Sequence, residues 1–246
     1  MNKLFLLAGA AGALLFSGCM SGSGGGGEVV MFNGRDLTGW EGRKQHWSVE
    51  DGAITGKTTK ENPAQGNNFL IWKPNGTNAI VSDFEFHCLY KIVPNGTKGF
   101  GNSGIQYRSK EFGNYVVGGY QADFEAGTTY SGILYEERMR GILAKRGEKT
   151  VIKTDPAGGG KFKIEVVGSV GKSDDIQAAI KDRDWNEYVV IAKGNHLQHF
   201  INGHQTVDVV DEDEPHRASS GILALQLHAG DPMTVQFKDM RIKELH

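Results

Sequence analysis

Apolar and polar residues alternate along much of this chain with a period of two. In the stretch from Phe84 to Lys91, the residues Phe84, Phe86, Cys88 and Tyr90 fall on one face. Glu85, His87 and Lys91 fall on the other. Successive strand side chains point to opposite faces, so this pattern predicts a half-buried β-strand. The same reasoning predicts strands over Trp185–Ala192, His196–Ile201, Thr206–Val210, Gly221–His228 and Thr234–Leu245. Asn202-Gly203 supplies the two positive-φ residues of a tight hairpin turn. Only Asp174 to Lys181 has a helical look, and it is short. The 35 glycines sit mostly between the apolar runs, as turns require. No internal repeat at a fixed period is present. Many short strands separated by turn signals predict an all-β fold, an antiparallel sandwich or jelly roll.

The first residues break this pattern. Met1-Asn2-Lys3 is a short basic start, and Leu4 to Phe16 is an uncharged apolar run. Ser17-Gly18-Cys19 closes it with small residues. Such a segment reads as a signal peptide, too short to span a bilayer comfortably. The terminal Ser-Gly-Cys resembles the bacterial lipobox, which predicts lipidation at Cys19. Met20 after Cys19, where Asp would signal retention, favours the outer membrane of a two-membrane cell envelope. Several acyl chains on one residue anchor far more firmly than one. Ser21 to Gly27 is a flexible linker, too poor in side chains to pack. The expected organisation is a leader over 1–18, a lipid-anchored linker over 19–28 and a β-rich domain over 29–246. Membrane fractionation of the chain and of Cys19→Ser checks the expected tether.

Composition removes several function classes. The formal net charge is −2 and no basic block exists, so nucleic acid is not an expected partner. Cys88 has no second cysteine in the mature domain to pair with, so the fold must hold without disulfides. Its place on an apolar strand face makes it a core residue rather than a reactive thiol. The histidines show no metal-ligand spacing, and no HExxH occurs. No cofactor is expected, although a loop such as Asp211-Glu212-Asp213-Glu214 could carry a divalent cation or simply be solvated. Gly158-Gly159-Gly160 lacks the lysine and the βαβ context of a phosphate loop.

Polar side chains line up on particular strands. In Tyr120 to Glu125, Tyr120, Ala122 and Phe124 take the inner face, while Gln121, Asp123 and Glu125 project together from the other. Carboxylates about 7 Å apart along a strand raise each other's proton affinity, which suits acid/base work. The plainer reading is a solvated outer sheet face. In Ile222 to His228, Leu223, Leu225 and Leu227 pack inward, with Gln226 and His228 opposite. An imidazole there can move protons near neutral pH. His196, His199, His204 and His216 read as surface residues. Asn102, Tyr107 and Arg108 offer planar donors and an aromatic face for a hydroxyl-rich ligand. Tyr135 to Gly141 is a dense polar cluster that reads equally well as a charged turn.

Six segments together resemble the 3-keto-disaccharide hydrolase family: VMFNGRDLTGW (Val30–Trp40), WSVEDGAITG (Trp47–Gly56), NSGIQYRS (Asn102–Ser109), GYQADF (Gly119–Phe124), WNEYVVIAKGNHLQHFING (Trp185–Gly203) and GILALQLHAG (Gly221–Gly230). Their order and number carry the resemblance, which runs from about Val30 to Leu245. The resemblance implies a concanavalin-like jelly-roll β-sandwich and glycosides already oxidised at C3 as substrates. A C3 ketone acidifies the C2 proton, so a base can remove it and the C1 substituent leaves. That route differs from an ordinary glycosidase, which passes through an oxocarbenium-like state. Side-chain chemistry nominates Asp123 or His228 as base, with Glu125 as alternate. Arg108, Gln121, Gln226, Tyr107 and Asn102 would then hold the sugar or stabilise the enolate. The expected partner is a small carbohydrate. A long stretch from Met139 to Ala179 is expected to shape one rim of the cleft. Two other readings compete: a non-catalytic lectin-like domain, and a conventional glycosidase-like sandwich, which would lack its nucleophile because Gln121 holds that place.

Overall fold

A computed structural model of the chain describes residues 27–246. The leader, Cys19 and nearly all of the linker lie outside the described residues. The first strands are β1 (Val29–Val30), β2 (Trp40–Gly42), β3 (Trp47–Glu50), β4 (Ala53–Lys57), β5 (Asn68–Trp72) and β6 (Phe84–Pro94). Next come β7 (Asn102–Glu111), β8 (Val117–Glu125), β9 (Leu134–Glu137), β10 (Gly141–Ala144), β11 (Glu148–Asp155) and β12 (Lys161–Ser169). After the short helix α1 (Ser173–Ala178) come β13 (Asn186–Lys193), β14 (His196–Ile201), β15 (His204–Asp211), β16 (Ile222–Leu227) and β17 (Met233–Glu244).

These strands form the two layers of a β-sandwich of the jelly-roll class. One sheet runs β12-β11-β15-β14-β13-β6-β17-β4-β3, with β1 added on β17. The other runs β10-β9-β8-β7-β16-β5-β2. Pairing is antiparallel except between β11 and β15. The interior is filled by the inward halves of the alternating strands: Phe84, Phe86, Cys88 and Tyr90 from β6 meet Tyr120, Ala122 and Phe124 from β8. Tyr90 and Phe124 pack with ring centroids 4.0 Å apart. Cys88 is a buried free thiol whose pKa burial pushes up, so it is a packing residue. Asn202 and Gly203 turn the β14–β15 hairpin with φ of 49° and 79°.

The seven-stranded sheet departs from the expected half-buried pattern. Every residue of β16 and β5 is buried, and β7 and β8 are buried over most of their lengths. Its second face is therefore covered, not solvated. Phe69, Ile71, Val117, Ile222 and Ala224 form a small apolar cluster there, packed against Tyr115. The rest of that face carries the polar side chains described below.

The stretch from Met139 to Ala179 contributes β10, the β11–β12 hairpin and α1. Its first part is fixed by Arg140, whose side chain is 4% exposed. Arg140 reaches Glu136 at 2.6 Å, Asp211 at 2.6 Å and Asp213 at 3.1 Å. Asp211 and Asp213 are thus counter-ions to a guanidinium, which corrects the reading of that loop as solvated. Thr154 and His216 also bond Asp213, at 2.7 and 2.8 Å. The cluster ties the β9–β10 turn to the end of β15 in the opposite sheet. Replacing Arg140 by Met should leave buried carboxylates uncompensated and cost about 3–5 kcal/mol. Chemical denaturation measures this, and a loss under about 1 kcal/mol would show the cluster to be neutral.

Candidate functional site

Strand alternation on the covered face of the seven-stranded sheet brings polar side chains together. Gln121 and Asp123 project from β8, Gln226 from β16 and Asn102 from β7. His228 follows β16 directly, and Asn67 immediately precedes β5. Tyr135 and Glu137 come from β9, and Ile142 from β10. With Tyr130 and Ile133 from the β8–β9 loop, these residues line one cavity of about 290 Å³.

A chain of amides organises the floor. Asn102 Nδ2 donates to Asp123 Oδ1 at 3.0 Å, and Gln121 Nε2 donates to Asp123 Oδ2 at 2.7 Å. Gln121 Oε1 accepts from Gln226 Nε2 at 3.0 Å and also from Gln106 Nε2. Gln226 Nε2 continues to Glu137 Oε2 at 3.3 Å, and Asn67 Nδ2 reaches the same oxygen at 3.3 Å. Asp123 and Glu137 are thus joined through Gln121 and Gln226, whose amide hydrogens are committed to the network. They position the carboxyls and have little left to offer a ligand. Gly104 makes room for this chain: a Cβ there would lie 2.5 Å from Gln121 Cγ. Gly104 pairs with Asp123 across β7–β8, so the Gln121 side chain crosses the sheet over a residue with no side chain.

Electrostatics distinguish the titratable groups. Asp123 is 5% exposed. Burial lifts its pKa well above the usual carboxylate range, against the bonds from Asn102 and Gln121 and with help from the charges of Glu125 and Glu137. Glu137 is also raised, chiefly by burial, while Asn67 and His228 oppose the shift. The Tyr135 hydroxyl is raised chiefly by burial and then by the charges of Glu137 and Asp123. His228 Nδ1 lies 2.5 Å from the carbonyl oxygen of Ala229. A carbonyl only accepts, so Nδ1 carries the proton and a neutral ring keeps its lone pair on Nε2. The edge of Phe100 packs on this ring at 5.4 Å. The arrangement offers a proton-holding carboxyl, a second carboxyl and an imidazole acceptor around one volume.

Of the residues picked from sequence, Asn102, Gln121, Asp123, Gln226 and His228 meet here. Three do not. Arg108 follows a break in the strand: the β7–β8 register shifts between Tyr107 and Lys110, and Arg108 has φ 44°. The alternation flips, and Gly119 opposite, with φ 141°, leaves space for Ser109. The guanidinium turns away to Asp83 at 2.9 Å and to the carbonyls of Ser82 and Gly194 at 2.7 and 2.6 Å. Tyr107 is fully buried in the interior, where its hydroxyl meets His199 Nε2 at 2.9 Å. Glu125 Oε1 accepts from the backbone N–H groups of Thr129 and Tyr130 at 2.6 and 2.9 Å. It organises the loop that carries Tyr130 and does not line the cavity. His199 is corrected as well: it sits between Tyr107 and Tyr188 in the core, and burial drives its pKa down to about 3.

Sequence reasoning left Tyr135 and Glu137 undivided within the polar cluster Tyr135–Gly141, read equally well as a charged turn, and it missed Asn67. Alternation within Tyr135-Glu136-Glu137 was the available signal, since Glu136 turns inward to Arg140 and leaves its neighbours on the cavity side. Asn67 carried no signal. Among the described residues, no group of three or more His, Cys, Asp or Glu side chains is placed to hold a metal ion.

The raised pKa of Asp123 has a measurable consequence. In the folded chain the group keeps its proton at pH values where the unfolded chain has lost it. Unfolding then releases a proton, so stability falls as pH rises toward the folded pKa. Asp123→Asn removes that dependence. The melting temperature of the variant minus that of the wild type should therefore grow as pH rises above the ordinary carboxylate range toward the raised folded pKa. A difference that stays flat across the range would contradict the buried, protonated carboxyl.

No curated protein matches the chain significantly. Among solved structures, carbohydrate-binding module CBM66 from Bacillus subtilis superposes with a TM-score of 0.54 at 15% identity, covering 88% of this chain and all of that one. Two Parabacteroides distasonis proteins, each described as a candidate glycosyl hydrolase, superpose with TM-scores of 0.55 and 0.53 at 14% and 19% identity. Both cover 89% of this chain, and 100% and 94% of their own. At these identities the likeness is one of fold. The family model described as the 3-keto-alpha-glucoside-1,2-lyase-like domain matches residues 27–243. With nearly every described residue inside that match, the chain belongs to the family of the 3-keto-alpha-glucoside-1,2-lyase-like domain.

Proposed function

We propose that the cavity cleaves glycosides that carry a ketone at C3, by removing the C2 proton and eliminating the C1 substituent. The carrying observation is that one cavity is lined both by His228, with its Nε2 lone pair free, and by Asp123, whose pKa burial raises well above the usual carboxylate range. Nε2 of His228 takes the C2 proton, and the electrons of that C–H bond form the C1–C2 double bond. The C1–O bond breaks, and its oxygen takes the Asp123 proton as it leaves. The C3 carbonyl stores the developing charge as an enolate. The remaining N–H of Asn102 is the donor left on the sugar side to face it. Water then adds across the double bond, oxygen to C1 and hydrogen to C2, if the product is released as the hydrolysed sugar. The elimination is common to a lyase and a hydrolase outcome. We further propose that this chemistry occurs outside the cytoplasm, on the lipid tether read from Cys19.

The ketone decides the substrate. Without it, the C2 proton is far too weakly acidic for an imidazole or a carboxylate. With it, one positioned base contributes on the order of a hundred- to ten-thousand-fold. Glycosides should therefore release their aglycone only in the 3-keto form. Asp123→Asn and His228→Ala should each lower turnover at least about a hundredfold while the protein still melts cooperatively. Equal release from a glycoside and its 3-keto form would exclude the elimination route. Full activity in both variants would remove these residues from the chemistry.

A further inference from the structure

The cavity is chemically lopsided along the strand order, and the asymmetry points to the kind of group that leaves. Asn102, Gln226, His228 and Asn67 lie on the β7, β16 and β5 side. Across β8, the β9–β10 side presents Tyr135 and Ile142, which are direct cross-strand partners. Ile133 and Tyr130 complete that wall. Ile142 is 38% exposed and Tyr130 is 45% exposed, large apolar groups left open at the rim. Asp123 stands on β8 between the two halves.

We propose that the apolar half is a subsite for an apolar or aromatic aglycone, in preference to a second sugar. This rests on the reaction proposed above and deepens it. The polar half offers hydrogen-bonding groups to the oxidised sugar, with His228 on the C2 side. Asp123, at the border, then lies where the oxygen joining sugar and aglycone would sit. A second sugar in the other half would bring several hydroxyls against two isoleucines and two tyrosine rings. Glu137 also stands on β9, but its carboxyl reaches away to Asn67 and Gln226, so the tyrosine hydroxyls are the side-chain hydrogen-bonding groups left on that wall. Each hydroxyl buried without a partner costs about 1–3 kcal/mol. An aromatic ring or alkyl chain carries no such cost and gains from covering Ile142 and Tyr130. Glu125 and Arg146 hold this wall in place. Glu125 binds the backbone of Thr129 and Tyr130, and Arg146 binds the carbonyls of Thr128 and Ser131, both at 2.8 Å.

Binding of unoxidised ligands tests the subsite apart from the reaction. Benzyl glucoside, in both anomeric forms, is compared with glucose disaccharides by isothermal titration calorimetry on the whole domain. The better benzyl anomer should bind at least about tenfold more tightly than any disaccharide, a difference of about 1.4 kcal/mol. Ile142→Ser and Tyr130→Ala, both at partly exposed positions, should each shrink the ratio of the two affinities several-fold. Disaccharides that bind as tightly, variants that leave the ratio intact, or no detectable binding of benzyl glucoside would each overturn the proposal. If the preference holds but no 3-keto glycoside is cleaved, the subsite stands and the reaction falls. If 3-keto glycosides are cleaved without the preference, the reaction stands and the subsite falls.

Discussion

A sheet buried on both faces cannot leave its polar side chains to water, and that constraint shapes the site. The inner face of the seven-stranded sheet packs on the aromatic core. Its other face is covered too, by an apolar cluster around Phe69 and Ile71 and by the walls of the cavity. Buried amides and carboxyls there must satisfy one another. Gln106, Gln121 and Gln226 do so in sequence, and the chain ends on Asp123 and Glu137. Satisfied amides hold the carboxyls rigidly, while burial shifts Asp123 toward its protonated form. The same packing requirement therefore fixes the geometry and sets the proton inventory.

Residues away from the cavity hold its walls. Arg140 bonds Glu136, Asp211 and Asp213, and so locks the β9–β10 turn onto the opposite sheet. That turn carries Tyr135 and Glu137 on one strand and Ile142 on the other. Glu125 and Arg146 do the corresponding work for the loop with Tyr130. A charge in these positions touches nothing in the cavity, yet it decides where the cavity residues stand. A precisely arranged site of this kind needs rigid support from neighbouring elements.

Period-two alternation made the architecture legible from sequence. It put Phe84, Phe86, Cys88 and Tyr90 inside, and it put Gln121, Asp123 and Gln226 on one shared face. It failed where the alternation itself breaks. The bulge at Arg108, with its left-handed backbone, sends that side chain to Asp83 instead of the cavity. Alternation also could not say that Glu125, two residues beyond Asp123, would bend back to its own loop. His199 was misjudged because a polar residue next to a hairpin looks exposed. Its neighbours Leu197 and Ile201 on the same face already pointed inward. Alternation in β9 set Glu137 opposite the buried Glu136, whereas Asn67 reaches the site through the tertiary approach of the start of β5, which no local pattern encodes.

In the proposed elimination the C2–H bond breaks as the glycosidic bond is lost. The direct measurement uses a 3-keto glycoside carrying deuterium at C2 and follows both aglycone release and the fate of the label by mass spectrometry. Proton removal by His228 predicts a slower release from the labelled substrate and loss of the label from the released sugar. Release at an unchanged rate, with deuterium retained at C2, would contradict it.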